Sequence, residues 1–181
     1  MKEEIIIAGF GGQGVLSMGK ILAYGGIMQD QEVSWLPAYG PEMRGGTCNV
    51  SVILSDNKIS SPILSRFDTA IILNQQSMDK FENQVKPGGL LIYDTNGITR
   101  HPERKDIRIC RIDAVEEAAK LGNAKAYNMV VLGAYLKIKP VVTMDNVIKG
   151  LKKSLPPRRH NLIPMNEEAI TVGMNAVVEV K

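Results

Sequence analysis

Two short stretches carry most of the chemistry that this sequence can offer. The first is Gly9-Phe10-Gly11-Gly12-Gln13-Gly14, which follows the apolar run Ile5-Ile6-Ile7-Ala8 and precedes residues at helical spacing. A G-x-G-x-x-G loop between a strand and a helix lets main-chain N–H groups approach a phosphate at the positive end of the helix dipole. The same loop with no ligand is a tight strand-to-helix turn, and both readings stand on these residues alone. Gly12 bares additional backbone and Gln13 sets an amide at the helix mouth, which leans towards binding. The second stretch, about thirty residues on, is Tyr39-Gly40-Pro41-Glu42-Met43-Arg44-Gly45-Gly46-Thr47. It reads as a surface turn with a local Glu42/Arg44 ion pair. It also reads as a contact loop, because glycines beside Arg44 leave a guanidinium free to grip a carboxylate, a phosphate or a partner.

Several chemistries are excluded or counted against. The glycine loop has no Lys-Ser/Thr ending, so it is not a nucleoside-triphosphate loop. A nicotinamide site wants an acid at the end of the second strand, and the corresponding segment ends Trp35-Leu36-Pro37 with Glu32 at its start. The two cysteines, Cys48 and Cys110, lie far apart and read as reduced, buried thiols. They cannot ligate an all-thiolate iron–sulfur cluster, and with only His101 and His160 they do not make a zinc site. No Ser/His/Asp or Cys/His arrangement presents itself. The basic group Lys149, Lys152, Lys153, Arg158, Arg159 and His160 reads as a solvated helix end.

The elements that must hold these loops alternate between strand and helix. Strands are expected at Ile5–Ala8, Glu32–Leu36 (stopped by Pro37), Cys48–Leu54, Thr69–Leu73, Leu90–Tyr93 and Ile107–Ile112. Helices are expected after Gly14, near Ser77–Val85, at Ala114–Leu121 with Asp113 and Glu116 as a capping pair, at Met129–Lys137, after Thr143, and from Pro164. Alternation of this kind predicts one α/β domain over 1–181, a doubly wound, mostly parallel, Rossmann-like sheet, with residues 48–60 as the place for an antiparallel addition. The 181 residues, 44% hydrophobic and 23% charged with a net charge of +3, suit a globular domain of that size. Such a charge does not imply nucleic acid, and no apolar run reaches the length of a membrane span. The chain is expected to be cytoplasmic.

Taken together, the glycine loop and Leu36-Pro37-Ala38-Tyr39-Gly40-Pro41-Glu42-Met43-Arg44-Gly45-Gly46-Thr47 resemble the gamma subunit of 2-oxoacid:ferredoxin oxidoreductases. Asn128-Met129-Val130-Val131-Leu132-Gly133 and Asn161-Leu162-Ile163-Pro164 fall where that family has similar runs, so the resemblance covers nearly the whole chain. The Tyr39–Gly46 loop is similar to the 2-oxoglutarate and general 2-oxoacid branch; the pyruvate branch tends to carry a phenylalanine and a second arginine there. The resemblance implies a subunit, inactive by itself, of an enzyme of anaerobic metabolism that decarboxylates a 2-oxoacid on thiamine diphosphate. Electrons pass through [4Fe–4S] clusters to ferredoxin, and acyl-coenzyme A is released. Thiamine diphosphate and the clusters would sit in the alpha, beta and ferredoxin-like partner subunits. This chain would support assembly and coenzyme A, with Gly11, Gly12, Gln13 and Gly14 on the pyrophosphate and Tyr39, Glu42, Arg44 and Gly45 at the channel or the subunit contact. The alternatives are a free-standing nucleotide-binding oxidoreductase and a regulatory module.

Overall fold

The computed structural model describes residues 1–41 and 45–180. Seven strands form one sheet in the order β2-β3-β1-β4-β5-β6-β7. They span Lys2–Phe10 (β1), Glu32–Tyr39 (β2), Thr47–Ser55 (β3), Phe67–Ile72 (β4), Val85–Asp94 (β5), Arg108–Ile112 (β6) and Val178–Glu179 (β7). β1, β4, β5 and β6 run parallel, and β3 pairs antiparallel with both β1 and β2. The antiparallel addition expected at 48–60 is thus β3, a full strand between β1 and β2. β7, antiparallel to β6, closes the other edge.

Helices cover both faces unequally. Val15–Met28 (α1), Ala114–Lys120 (α3), Tyr127–Ile138 (α4), Met144–Ser154 (α5) and Ile163–Ala176 (α6) pack on the face that carries Ile5, Ile7, Val50, Val52 and Ile92. The other face, with Ile6, Ala8, Ala70, Ile72 and Leu91, is covered by Gln75–Phe81 (α2) and connecting segments. Central strands buried on both faces read as continuous apolar runs, which is why β1 and β4 were plain in the sequence.

Five local expectations change. β2 runs through Pro37 to Tyr39 because it is an edge strand: Gly40 donates to the Thr47 carbonyl at 3.3 Å. That places the odd-numbered positions of β2, Pro37 included, with their nitrogens facing the open edge, so the missing N–H costs no ladder bond. β5 begins at Val85 rather than Leu90, with a register irregularity against Phe67 and Thr69 absorbing Gly88 at φ 76°. α2 is shorter than expected and gives way to a 3₁₀ turn at Glu82–Gln84. α4 starts earlier, at Tyr127. Asp113 precedes α3 without capping it; its carboxylate takes the Thr95 hydroxyl, and the first N–H of α3 goes to Asp94 at 3.1 Å.

The small residues of α1 are consumed inside the fold. A Cβ on Gly19 or Gly26 would meet Val50 or Leu54 of β3 at 2.7 Å, and one on Gly25 would meet Val142 at 2.7 Å. Closer still is the α4–α6 crossing, where a Cβ on Gly133 would lie 1.9 Å from the Ile170 carbonyl oxygen and one on Gly173 1.9 Å from that of Val130. The core requires these two positions to be glycine.

Candidate functional site

The chain leaves β1 in one direction to α1 and β2, while β4 lies on the opposite side of β1. The loops after β1 and β4 therefore diverge, and such a switch point at the carboxyl edge is where open α/β sheets hold ligands. Gly14 stands at the N-terminus of α1 in a left-handed conformation (φ 77°, ψ 21°), and Gly12 is also left-handed at φ 98°. Both are conformations that glycine adopts without steric cost. Among the described residues no side chain caps α1, and no acid lies in its first turn, so the N–H groups of that turn find no side-chain partner there.

The two motifs meet. Gly11 donates to the Gly46 carbonyl at 2.9 Å, and Gly45, left-handed at φ 74°, donates to the Gly11 carbonyl at 3.4 Å. Between them opens a cavity of about 280 Å³ lined by Phe10, Gly11, Gly12 and Gly14, the first turn of α1 through Ser17, and Tyr39, Thr47 and Cys48. No described residue lies within 4 Å of the place that a Cβ on Gly12 would take. Of the residues expected at the site, Gly11, Gly12, Gly14 and Tyr39 line this cavity, and Gly45 is tied to its wall. Glu42 and Arg44 lie outside the described residues.

Gln13 has a different task. Its amide oxygen takes the Phe10 N–H at 2.6 Å and its amide nitrogen reaches the Leu73 carbonyl at 3.4 Å, pinning the ends of β1 and β4. The side chain thus helps to set the loop's shape.

A smaller cavity of about 170 Å³ adjoins, shared by Gly12–Gly14 with Lys125, Tyr127 and Asn128. Asn128, at the start of α4, donates to the Gly14 carbonyl at 3.4 Å. Tyr127 donates to Asp94 at 2.9 Å, and Asp94, fully buried at the end of β5, also receives the Ala114 N–H. Burial raises the Asp94 carboxyl, against the lowering effect of the Tyr127 hydroxyl and the N–H groups of Ala114 and Asn96. Burial likewise raises Tyr127, which stays protonated. Asp94, Tyr127, Asn128 and Gly14 thus form one chain of contacts from β5 to the glycine loop. Sequence alone does not reveal this brace, because a tyrosine 33 positions from Asp94 gives no local signal of a bond to it.

Burial also raises both thiols, Cys110 to about 11, so Cys48 sits beside the cavity as a thiol. The basic group near the end of α5 is partly structural, as expected of a helix end. The His160 ring lies 3.0 and 2.9 Å from the carbonyls of Lys152 and Leu155, and Arg159 lines a neighbouring groove with Lys125 and Asn128. Among the described residues no group of three or more His, Cys, Asp and Glu side chains forms a metal site. No helix is long and apolar enough to cross a membrane.

Among the described residues the arrangement combines main-chain donors at a helix terminus with an adjacent concave space. Residues 4–176 match the family described as pyruvate ferredoxin/flavodoxin oxidoreductase. The ketoisovalerate oxidoreductase subunit VorA of Methanothermobacter thermautotrophicus is 42% identical over 170 residues, 94% of this chain and 35% of that one. This chain therefore spans about a third of that relative's length. The 2-oxoglutarate synthase subunit KorC of Methanothermobacter marburgensis is 34% identical over 87% of this chain and 88% of its own. Among solved structures, the keto/oxoacid ferredoxin oxidoreductase gamma subunit of Geobacter sulfurreducens superposes with a TM-score of 0.82 at 26% identity, over 97% and 96% of the two chains. The 2-oxoglutarate:ferredoxin oxidoreductase of Magnetococcus marinus, solved with 2-oxoglutarate, coenzyme A and succinyl-CoA, shares the fold (TM-score 0.85, 23% identity) over 96% of this chain and 30% of that one.

Proposed function

This chain belongs to the pyruvate ferredoxin/flavodoxin oxidoreductase family, as a gamma-type subunit, and we propose that it serves a complex converting a 2-oxoacid to its acyl-coenzyme A with electrons passed to ferredoxin. Its own part in that reaction is to hold coenzyme A and to join the alpha, beta and ferredoxin-like subunits, which would carry thiamine diphosphate and the [4Fe–4S] clusters. The observation that carries this reading is the junction of the two motifs. Gly11–Gly14 and Gly45–Thr47 are hydrogen-bonded to each other around a cavity into which the first turn of α1 opens. A pyrophosphate is the part of coenzyme A suited to such donors. Tyr39 lines the same cavity, and Glu42 and Arg44 follow it closely in sequence. Arg44→Ala in the assembled complex is expected to raise the KM for coenzyme A or to weaken assembly; wild-type kinetics together with wild-type assembly would remove Arg44 from the site.

The 2-oxoacid of the proposal is 2-oxoglutarate, from the form of the Tyr39–Gly46 loop. A second reading, ketoisovalerate, is favoured by the 42% identity to VorA against 34% to KorC. Purification of the tagged chain with its natural partners, followed by coenzyme A-dependent reduction of a viologen dye, tests both. Activity with either acid supports the family reaction and assigns the branch. A chain that purifies alone, with no such activity, contradicts the proposal.

A further inference from the structure

On the sheet face opposite α1, the carboxyl ends of β5 and β6 form the floor of a second cavity, of about 490 Å³. Tyr93 and Arg111 are cross-strand neighbours on that floor. His101 from the β5–β6 connection and Val180, just past β7, enclose the sides, and Ile98 and Ile109 supply apolar surface. The volume is within the range of small-molecule sites, and the lining, apolar with a few polar groups, is of the usual kind.

Arg111 is the unusual member. Four arginines occur between 100 and 111. Arg100 pairs with Asp79 and Glu82, Arg104 with Asp106, and Arg108 with both carboxylate oxygens of Glu179 at 2.9 and 3.0 Å. Arg111 makes no ion pair among the described residues, although acids lie close by in sequence and in space. Glu179 is taken by Arg108, and Asp113 accepts the Thr95 hydroxyl. The Tyr93 hydroxyl, on a residue only 4% exposed, likewise makes no hydrogen bond among the described residues. Burial raises its pKa, so it remains a donor. A guanidinium fork and a phenol donor, neither with a side-chain partner among the described residues, thus share one side of a cavity that Ile98, Pro102, Ile109 and Val180 also line.

We propose that this cavity binds a small organic carboxylate, its carboxyl group on the Arg111 guanidinium and the Tyr93 hydroxyl and its apolar body against Ile98, Ile109 and Val180. A carboxylate fits the planar fork of arginine with two parallel hydrogen bonds. A phosphate dianion would call for a second fixed cation, and Arg111 is the one arginine or lysine among the described residues that line the cavity. The walls require an apolar body, since a small polar anion would leave them wet. This site is independent of the coenzyme A reading, which concerns the opposite face.

Calorimetric titration of the 181-residue chain with 4-methylpentanoate and with phenylacetate tests the proposal, with 4-methylpentanamide as the uncharged control. Both carboxylates are expected to bind, and the amide about tenfold more weakly. Arg111→Gln should weaken the carboxylates by about tenfold and leave the amide unchanged; Arg111→Lys should restore only part, lacking the fork. Tyr93→Phe, which keeps the ring in the core, should weaken them about threefold. Equal binding of acid and amide, undiminished binding by the Arg111→Gln chain, or no binding of either carboxylate to the wild-type chain would each overturn it.

Discussion

The two ends of the sheet use polar groups in opposite ways. At the amino end, charges are closed on one another. Glu3 takes both the Lys139 ammonium and the Thr69 hydroxyl, and Lys86 bridges Glu4 and Asp68 while Lys2 pairs with Glu4. At the carboxyl end, the helix terminus behind Gly14 is uncapped and the backbone around Gly12 is open. Buried charge left unpaired is costly, whereas unpaired main-chain donors at a solvent-reached cleft stay hydrated until a ligand displaces the water. One end holds the sheet together; the other is kept in shape but left unsatisfied.

Breaking the closed end should produce the largest loss of stability. Lys139→Met strands the buried Glu3 carboxylate, and a fall of about 3 kcal/mol in denaturant unfolding is expected, with coenzyme A kinetics of the complex unchanged. If the coenzyme A KM moved as well, the two ends would not be independent.

The brace beneath the site is expected to matter less to the fold and more to the cleft. Tyr127→Phe removes one of the donors to the buried Asp94, worth about 2 kcal/mol. It should also loosen the start of α4, where Asn128 meets Gly14. Amide exchange in the Gly11–Ser17 segment ought therefore to quicken in this variant and not in Lys139→Met. Identical exchange in the two would dissolve the distinction between the ends.

The smallest effect, and the sharpest contrast in sign, concerns pH. Burial alone would raise Glu4, but Lys2 and Lys86 outweigh it and hold the carboxyl below its ordinary 4.5. Its contribution is therefore present above 4.5 and is lost as pH falls through the depressed value. Asp94 is shifted upward from 3.8 by burial. It favours the folded state most when protonated, below 3.8, and that advantage is lost as pH rises through the raised value. Glu4→Gln should flatten the acid limb of a stability–pH profile. Asp94→Asn should fare better relative to wild type at neutral pH than in acid. Parallel profiles for the two variants would contradict the assignment.

The closed and open ends differed in how far the sequence revealed them. The glycine loop and the Tyr39–Thr47 motif declared themselves because glycine spacing and a strand-to-helix junction are local signals. Their meeting around one cavity followed from the carboxyl-edge rule once β2 was placed parallel to β1. What remained hidden depended on distant partners. Pro37 read as a stop because only its outward-facing nitrogen on an edge strand makes it a strand residue. Gln13 read as a ligand contact because the Leu73 carbonyl that holds it belongs to another strand. Asp94, Tyr127 and Lys139 carried no signal at all, since each is defined by a bond spanning at least 33 positions.

The placement of coenzyme A on the glycine loop depends most directly on the open backbone at Gly12. In the assembled complex, Gly12→Ala adds a methyl group where no described residue of this chain lies within 4 Å and strains a residue at φ 98°. Steady-state kinetics should show the KM for coenzyme A raised about tenfold, equivalent to about 1.4 kcal/mol, with the KM for the 2-oxoacid and the assembly of the subunits unchanged. An unchanged coenzyme A KM in a fully assembled Gly12→Ala complex would contradict the placement of coenzyme A on this loop.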